Sequence, residues 1–149
     1  MQYHALPSLL PNTMRQIAEI FHYHAHVYYD DSNRTLALQL RDQIAERFAV
    51  QVGRLFEQAV GPHPIAQYEI GFYADEFARL VPWLMLNRQD LVVMIHPNTD
   101  RERDDHAHAA MWLGEPLPLL LDKLDVSLLA TGQAEPRAVV INSEIKISI

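Results

Sequence analysis

The sequence predicts an α+β fold, in which an antiparallel sheet carries helices on one of its faces. Several short segments alternate apolar and polar residues with the two-residue period of a strand, and two segments between them carry apolar residues at helical spacing. The 149 residues are 49% hydrophobic and 21% charged, which is enough apolar material for one packed core. We therefore expect a single domain over 1–149, with a core over about 20–118 and a C-terminal extension over 119–149.

The order of the predicted elements defines the arrangement of the sheet. Alternation and β-branched or aromatic residues predict four strands, over 20–29, 50–59, 65–73 and 91–96. A helix is predicted over 34–48, and a second helix begins at Asp75 and contains Pro82, which should kink it or shift its start. The resulting order is βαββαβ, the ferredoxin-like arrangement.

The chain beyond the fourth predicted strand is less regular. A polar stretch follows from Asn98 to Asp105, and residues 117–129 are compatible with a third helix. Residues 137–149 end in an alternation of isoleucines and predict one more strand. This apolar tail favours a homodimer.

The composition disfavours several classes of function. The formal net charge of −7 argues against nucleic acid and anionic membranes, because both need clustered cations, and no run of 18 apolar residues could span a bilayer. The N-terminus lacks the pattern of a signal peptide, so the cytoplasm is the expected compartment. Cysteine is absent, so disulfides and thiolate ligands are excluded. Any metal would have to be held by histidines and carboxylates.

Histidine is unusually frequent, with eight residues, six of them in short clusters or motifs. Since side chains at i and i+2 share a face of a strand, His22, His24 and His26 project together from the first strand, with Tyr28 on the same face. In the βαββαβ order the first strand lies between the third and the fourth, antiparallel to both. Four side chains should therefore converge on the face that the helices leave open: His24, His26, Glu69 and His96.

Imidazoles and a carboxylate without thiolates suit a first-row divalent metal. Two histidines and one carboxylate with open positions are typical of non-haem Fe(II), and zinc with a catalytic water is equally compatible with these ligand types. Simpler interpretations stay open at this point. The stripe of histidines on the first strand could be a solvated sheet face, and Glu69 could be an exposed charge.

Several motifs together resemble those of the DOPA 4,5-dioxygenase family. They occur in the family's order and cover about residues 22–118. The matching segments are Tyr23 to Tyr29, Gly61 to Pro64 with Gln67 to Glu69, Trp83-Leu84 with Asn87-Arg88, Ile95 to Thr99, and Asp105-His106 with Ala110 to Gly114. The motif positions include His24, His26, His63, Glu69, His96 and His106.

This resemblance implies a ferredoxin-like fold and an extradiol-type dioxygenase, which opens the ring of a catechol such as DOPA with O2, most simply at Fe(II). Geometry favours His24, His26 and His96 as metal ligands. Glu69 is then a carboxylate ligand or an acceptor that fixes a histidine tautomer. The remaining candidates are His63 and His106 for proton transfer from loops, and Tyr28 and Arg88 for contact with the substrate.

Three other functions remain compatible with the sequence. A non-enzymatic zinc or nickel module would have a saturated coordination sphere and would not react with catechols. A metal-free, ligand-binding ferredoxin-like dimer would fold normally in a chelator. A zinc-dependent hydrolase would be active without O2, which an anaerobic assay distinguishes from the dioxygenase.

Overall fold

The computed structural model describes residues 14–141. Its strands are β1 (His22–Tyr28), β2 (Gln51–Val52), β3 (Gln67–Phe72), β4 (Val92–Asn98) and β5 (Met111–Leu113). Its α-helices are α1 (Arg34–Arg47), α2 (Ala74–Asn87) and α3 (Glu102–Ala107). The strands form one antiparallel five-stranded sheet of order β2-β3-β1-β4-β5. The predicted α+β fold and the βαββαβ order are confirmed, with β1 between β3 and β4.

The hydrophobic core lies between one face of the sheet and the helices α1 and α2. Alternate residues of the strands supply the sheet side: Ala25, Val27, Tyr68, Ile70, Phe72, Val93 and Ile95. The helices add Ala37, Leu40, Ile44, Leu80, Val81 and Leu84. The helix α2 continues through Pro82, although proline removes one hydrogen bond of the helix. Because strand side chains alternate, this core leaves the histidines of β1 and β4 on the other face.

The strand β2 is much shorter than the strand predicted over 50–59. Val52 pairs with Ile70, whereas Phe56 pairs with Gln67, so the chain carries one extra residue between the two pairs. The N–H of Gly53 donates to the carbonyl oxygen of Glu69 at 2.8 Å. A Cβ at Gly53 would lie 2.8 Å from that same oxygen. This one-residue bulge therefore ends the regular ladder beside Glu69 and needs a glycine.

The region after β4 differs from the prediction. The helix expected over 117–129 is wrong, since this part of the chain forms only two short 3-10 turns, Leu121–Lys123 and Leu129–Thr131. Pro116 and Pro118 disfavour a helical backbone at the residues that precede them. No strand forms over 137–141, and residues 142–149 lie outside the described part of the chain. The polar stretch after β4 contains the start of α3, which the sequence did not predict.

Residues 124–141, called here the C-terminal segment, return to the open face of the sheet. Tyr73 Oη accepts a hydrogen bond from Val139 N at 3.1 Å, and Gln51 Oε1 accepts one from Val140 N at 2.8 Å. Val139 packs directly on Gly71, where a Cβ would lie 3.4 Å from the Val139 Cγ2 atom. The segment therefore covers part of the histidine-bearing face. None of the helices between residues 14 and 141 has the length and apolar character needed to cross a bilayer.

Candidate metal centre

The strand register brings the histidines of β1 and β4 together. His24 lies opposite His96, and His26 lies opposite Glu69 on the other neighbouring strand. Residues that face each other across antiparallel strands point to the same side of the sheet. The imidazoles therefore gather on the face away from α1 and α2, as the strand order predicted from the sequence indicates.

Among residues 14–141, two overlapping groups of three histidines could hold a metal ion. The first group is His24, His26 and His96, and the second is His26, His63 and His106. Within each group the ligand atoms lie within 4.8 Å of one another. His63 comes from the turn that Val60 and His63 close by pairing with each other. His106 lies on the helix α3, which corrects the prediction that it lies on a loop.

Hydrogen-bond acceptors hold the Nδ1 atoms of four of these rings. The pairs of ring and acceptor are His24 with the Glu69 carboxylate, His26 with Gln67 Oε1 (2.9 Å), His96 with the Pro97 carbonyl (2.8 Å) and His106 with the Glu102 carbonyl (2.8 Å). Each of these acceptors takes the single N–H of a neutral imidazole. The Nε2 atom of each ring then carries a bare lone pair, which is the form that binds metal.

The closest contact inside the centre joins two such lone pairs. The Nε2 atoms of His26 and His96 lie 3.1 Å apart, and both rings are buried. Two bare nitrogens cannot hydrogen-bond to each other. Two imidazoles bound to one cation at about 2.0–2.1 Å have nitrogens about 2.8–3.4 Å apart, the lower value at octahedral and the higher at tetrahedral angles. The spacing of His26 and His96 therefore fits a shared metal ion.

The electrostatics of the centre favour neutral rings. Burial lowers the pKa of His26 and of His96 well below the ordinary value, and the neighbouring histidines lower both further. Burial also lowers the pKa of His106. Burial opposes the ionisation of Glu69, but the hydrogen bond that it accepts from His24 and its attraction to the neighbouring imidazoles keep the pKa of this carboxyl below its usual value. The Glu69 carboxylate thus accepts the hydrogen bond of His24 Nδ1, while His24 Nε2 faces the centre.

His63 differs from the other four rings in the partner of its Nδ1, which is a hydroxyl group. Its Nδ1 lies 2.7 Å from the hydroxyl of Tyr28, and burial raises the pKa of that phenol, which keeps its proton and can donate a hydrogen bond to Nδ1. Burial and the nearby His106 lower the pKa of His63 to about 4, so the ring is neutral at neutral pH. When Tyr28 is the donor, the proton of the His63 ring is on Nε2. The Tyr28 ring in turn stacks on Trp112.

A cavity of about 250 Å³ opens at the histidines. Its apolar walls are Phe56, Val60, Pro62 and Leu124, and its polar walls are His24, His26, His63, Gln67, Glu69, Asn98, Glu102 and His106. A cavity of about 150 Å³ is enough to take a benzene molecule. The space beside the histidines therefore accommodates a ring with small substituents.

Arg88 is not brought to this cavity with the other candidates. Its guanidinium donates to the Leu91 carbonyl at 2.9 Å and lies beside Gly114, where a Cβ would meet it at 3.1 Å. Three other residues contribute to the centre without having been singled out by the sequence: Gln67, Asn98 and Glu102. A signal for each was available, since Gln67 and Asn98 lie two residues from Glu69 and His96 on a strand, and Glu102 lies one helical turn before His106.

Comparisons with known proteins agree with this fold. A protein from Nostoc punctiforme that carries the provisional name of a dioxygenase superposes with a TM-score of 0.73 at 41% identity, over 74% of this chain and 96% of that one. Two curated relatives are the DOPA 4,5-dioxygenase of Amanita muscaria, 33% identical over 135 residues, and an uncharacterized 21.2 kDa protein of Botryotinia fuckeliana, 36% identical over 107 residues.

The alignments cover 83% of this chain and 59% of the Amanita muscaria protein, and 63% of this chain and 58% of the Botryotinia fuckeliana protein. The chain thus spans about three fifths of the length of these relatives. The sequence model of the Dopa 4,5-dioxygenase family matches residues 23–123, which include all the histidines of both metal-binding groups. This chain belongs to the Dopa 4,5-dioxygenase family.

Proposed function

We propose that this chain is an extradiol-type dioxygenase, which opens the ring of a catechol such as DOPA with O2 at a metal held by His24, His26 and His96. The contact between the Nε2 atoms of His26 and His96, 3.1 Å apart with both Nδ1 protons bound elsewhere, carries the proposal. It supports a site for a cation rather than a hydrogen-bonded pair.

The donor set fits a divalent first-row metal, and we propose Fe(II), with zinc as the alternative. Each of the three rings has its Nδ1 beside a hydrogen-bond acceptor, which leaves Nε2 for a metal, and the acceptor of His24 is the Glu69 carboxylate, in the manner of metal-bound histidines. A metal held by three protein ligands supplies open positions for both catechol oxygens and for O2, which is what ring cleavage requires. We assign Glu69 to the support of His24 rather than to direct ligation.

The apolar walls of the 250 Å³ cavity would hold the substrate ring. Phe56, Val60 and Leu124 line it together with polar groups of β1 and β4. Burying a flat ring against such walls removes apolar surface from water and orients the two hydroxyls toward the histidines. A small catechol therefore suits this space better than a polar aliphatic substrate.

Two histidines outside the metal-binding trio are suited to move protons. His106 presents a bare Nε2 and would accept a proton from a catechol hydroxyl. His63 would donate a hydrogen bond from Nε2 to the oxygen atom that gains negative charge as the O–O bond breaks. The Tyr28 hydroxyl, hydrogen-bonded to Nδ1 at 2.7 Å, would hold the ring in this orientation.

The test is to load the protein anaerobically with Fe(II), add a catechol and then admit oxygen. We expect stoichiometric oxygen uptake with a yellow ring-opened product, and neither in His26→Ala. His108→Ala is the matched control, because the side chain of His108 is 88% exposed and lies outside both metal-binding groups. Turnover without oxygen, or full activity of His26→Ala with full metal content, would refute the proposal. Loss of metal from His106→Ala would make His106 a ligand.

We also propose that the chain forms a homodimer. This part of the proposal rests on the sequence alone, through the alternation of Ile145, Ile147 and Ile149. Sedimentation equilibrium of the full chain, compared with a chain that ends at residue 141, tests it. A monomer at micromolar concentration in both cases would contradict it.

A further inference from the structure

A second cavity, a cleft of about 460 Å³, lies beside the histidines. Four residues line both this cleft and the smaller cavity at the histidines: His24, Glu69, Asn98 and Glu102. The two spaces therefore adjoin each other. His24 is the member of the proposed metal-binding trio that lines both, so an ion in the cleft would meet His24 first.

The charged groups in the lining of the cleft are mostly acidic. Among residues 14–141 it is lined by four carboxylates and one arginine: Glu69, Glu102, Asp105, Asp125 and Arg137. Glu69 is bound to His24, and Asp105 accepts from Thr99 N at 2.7 Å and Thr99 Oγ1 at 2.8 Å. Two carboxylates therefore have partners, and two do not.

The two carboxylates without partners lie close to each other. The side chains of Glu102 and Asp125 make no hydrogen bond or ion pair with any residue between 14 and 141. Burial raises the pKa of Glu102, and the negative charges of Asp125 and Asp105 raise it further. A cation in the cleft would relieve this repulsion.

His22 is an observation independent of the carboxylates, and it also points to a cation. It lines the cleft, and its ring centroid lies 5.1 Å from that of His24 on the same face of β1. Only 3% of its surface is exposed, and its ring makes no hydrogen bond or ion pair within residues 14–141. Buried polar groups are seldom left without a partner, and a neutral imidazole is a good ligand for a first-row metal.

The smaller cavity is less suited to the passage of an ion. Its walls include four apolar residues: Phe56, Val60, Pro62 and Leu124. Neither His22 nor Asp125 lines it. A charged ion loses hydration beside apolar walls without gaining a partner there, whereas the cleft offers it carboxylates and an imidazole.

We propose that the cleft is the route by which the metal ion reaches the histidines, with Glu102 and Asp125 attracting the cation and His22 acting as a transient ligand. The inference rests on the metal centre proposed above. A cleft lined by charges of one sign raises the local concentration of counter-ions and speeds their association. Asp125 belongs to the C-terminal segment, beyond residue 123, where the match to the family model ends. Metal loading thus depends on a part of the chain outside that match.

The rate of metal binding to the metal-free protein tests this route without any turnover. Co(II) would be mixed with the protein in a stopped-flow instrument. Quenching of tryptophan fluorescence reports the arrival of the ion, since Trp112 stacks on Tyr28 beside the centre. Mixing the loaded protein with excess EDTA gives the rate of release.

Two exposed residues of the cleft should change the association rate in opposite directions. We expect Asp125→Lys to lower the association rate constant about tenfold at low ionic strength, and Arg137→Gln to raise it about threefold. Asp90→Lys is the matched control, because it makes the same change of net charge at an exposed position before β4, whereas Asn98 at the other end of β4 lines the cleft.

Salt and the release rate sharpen the test. The effect of Asp125→Lys should shrink as the ionic strength rises from about 0.01 to about 0.2 M, and the release rate should change little. An unchanged association rate in Asp125→Lys, or an equal loss in Asp90→Lys, would overturn the route and leave the metal centre standing. Failure of the unmodified protein to bind Co(II) would overturn both.

His22→Phe tests the transient ligand. A ligand that holds the ion only on the way lowers the barrier in both directions, so its loss should slow association and release by the same factor and leave Kd unchanged. A weaker Kd with an unchanged association rate would make His22 a ligand of the final site and would overturn its part in the route. Unchanged rates in both directions would overturn it as well.

Discussion

His26 and His96 lie on neighbouring antiparallel strands with their Nε2 atoms 3.1 Å apart. Each ring donates its single N–H, at Nδ1, to an acceptor on the side away from the other ring: Gln67 Oε1 for His26 and the Pro97 carbonyl for His96. Without a cation, two lone pairs face each other in a buried place, which is unfavourable. Metal binding should therefore stabilise the fold. At a free metal concentration 100 times Kd, the free energy of unfolding should rise by about 2.7 kcal/mol. Thermal unfolding with Fe(II) or Zn(II) measures this effect. A chelator should reverse it, and His96→Ala should show none.

The amide of Gln67 fixes the tautomer of His26 through a hydrogen bond of 2.9 Å. We expect Gln67→Leu to lower the metal affinity about 10- to 100-fold, because the ring can then turn or carry its proton on Nε2. Competition with a chromophoric chelator measures the affinity. Gln58→Leu, at an exposed position, is the control. An unchanged affinity in Gln67→Leu would show that the hydrogen bond between Gln67 and His26 does not contribute to metal binding.

The hydroxyl of Tyr28 is expected to act through His63, which it contacts at 2.7 Å. Tyr28→Phe should lower kcat about tenfold to a hundredfold and leave KM and metal content near those of the unmodified protein. A loss confined to KM would instead place Tyr28 in direct contact with the substrate. Oxygen uptake at saturating catechol, together with metal analysis, distinguishes the two results.

The metal-free protein should lose stability as the pH falls from about 6.5 to about 4. Burial lowers the pKa of His22 and of His63 from 6.5 to about 4, so in this range the unfolded chain binds protons that the folded chain does not. Each group then contributes on the order of 3 kcal/mol that is present above pH 6.5 and lost by pH 4. Urea unfolding across this range measures the slope. His63→Gln should flatten it, whereas His108→Gln should not.

Gly53 occupies a place where a side chain would meet the backbone of β3. A Cβ would lie 2.8 Å from the Glu69 carbonyl oxygen, so Gly53→Ala should lower the free energy of unfolding by about 1–3 kcal/mol. Because Glu69 backs His24, the same change should weaken metal binding. Urea unfolding and chelator competition check both effects against Ala59→Ser, an exposed change. An unchanged free energy of unfolding in Gly53→Ala would mean that the backbone of the bulge moves away from the added methyl group at little cost.

The two-residue period of the strands made the centre of the fold predictable. It placed Val27 and Ile70 toward the helices and His24 and His26 away from them, and the βαββαβ order then put Glu69 beside His26. These inferences need only local alternation and one rule about strand order. The extra residue near Gly53 was not predictable in the same way, because a bulge depends on a backbone contact with another strand.

The residues outside β1, β3 and β4 were harder to place. His106 reaches the centre from a helix of six residues, which is too short for a periodic signal. Residues 117–129 carry many leucines, but Pro116 and Pro118 at the start of this stretch and the packing of the C-terminal segment on the sheet override helix propensity. The return of the C-terminal segment to the open face of the sheet depends on tertiary contacts between distant parts of the chain, which no local pattern in the sequence indicates.

Val139 rests on Gly71 because that position of β3 has no side chain to push it away. Gly71 of β3 lies opposite His24 of β1, so the surface on which Val139 packs adjoins the strand that carries the histidines. The position of the C-terminal segment over the open face of the sheet thus depends on a residue that adjoins the histidines. Exchanging this segment between relatives would change what covers the histidines, provided that residue 71 stays small.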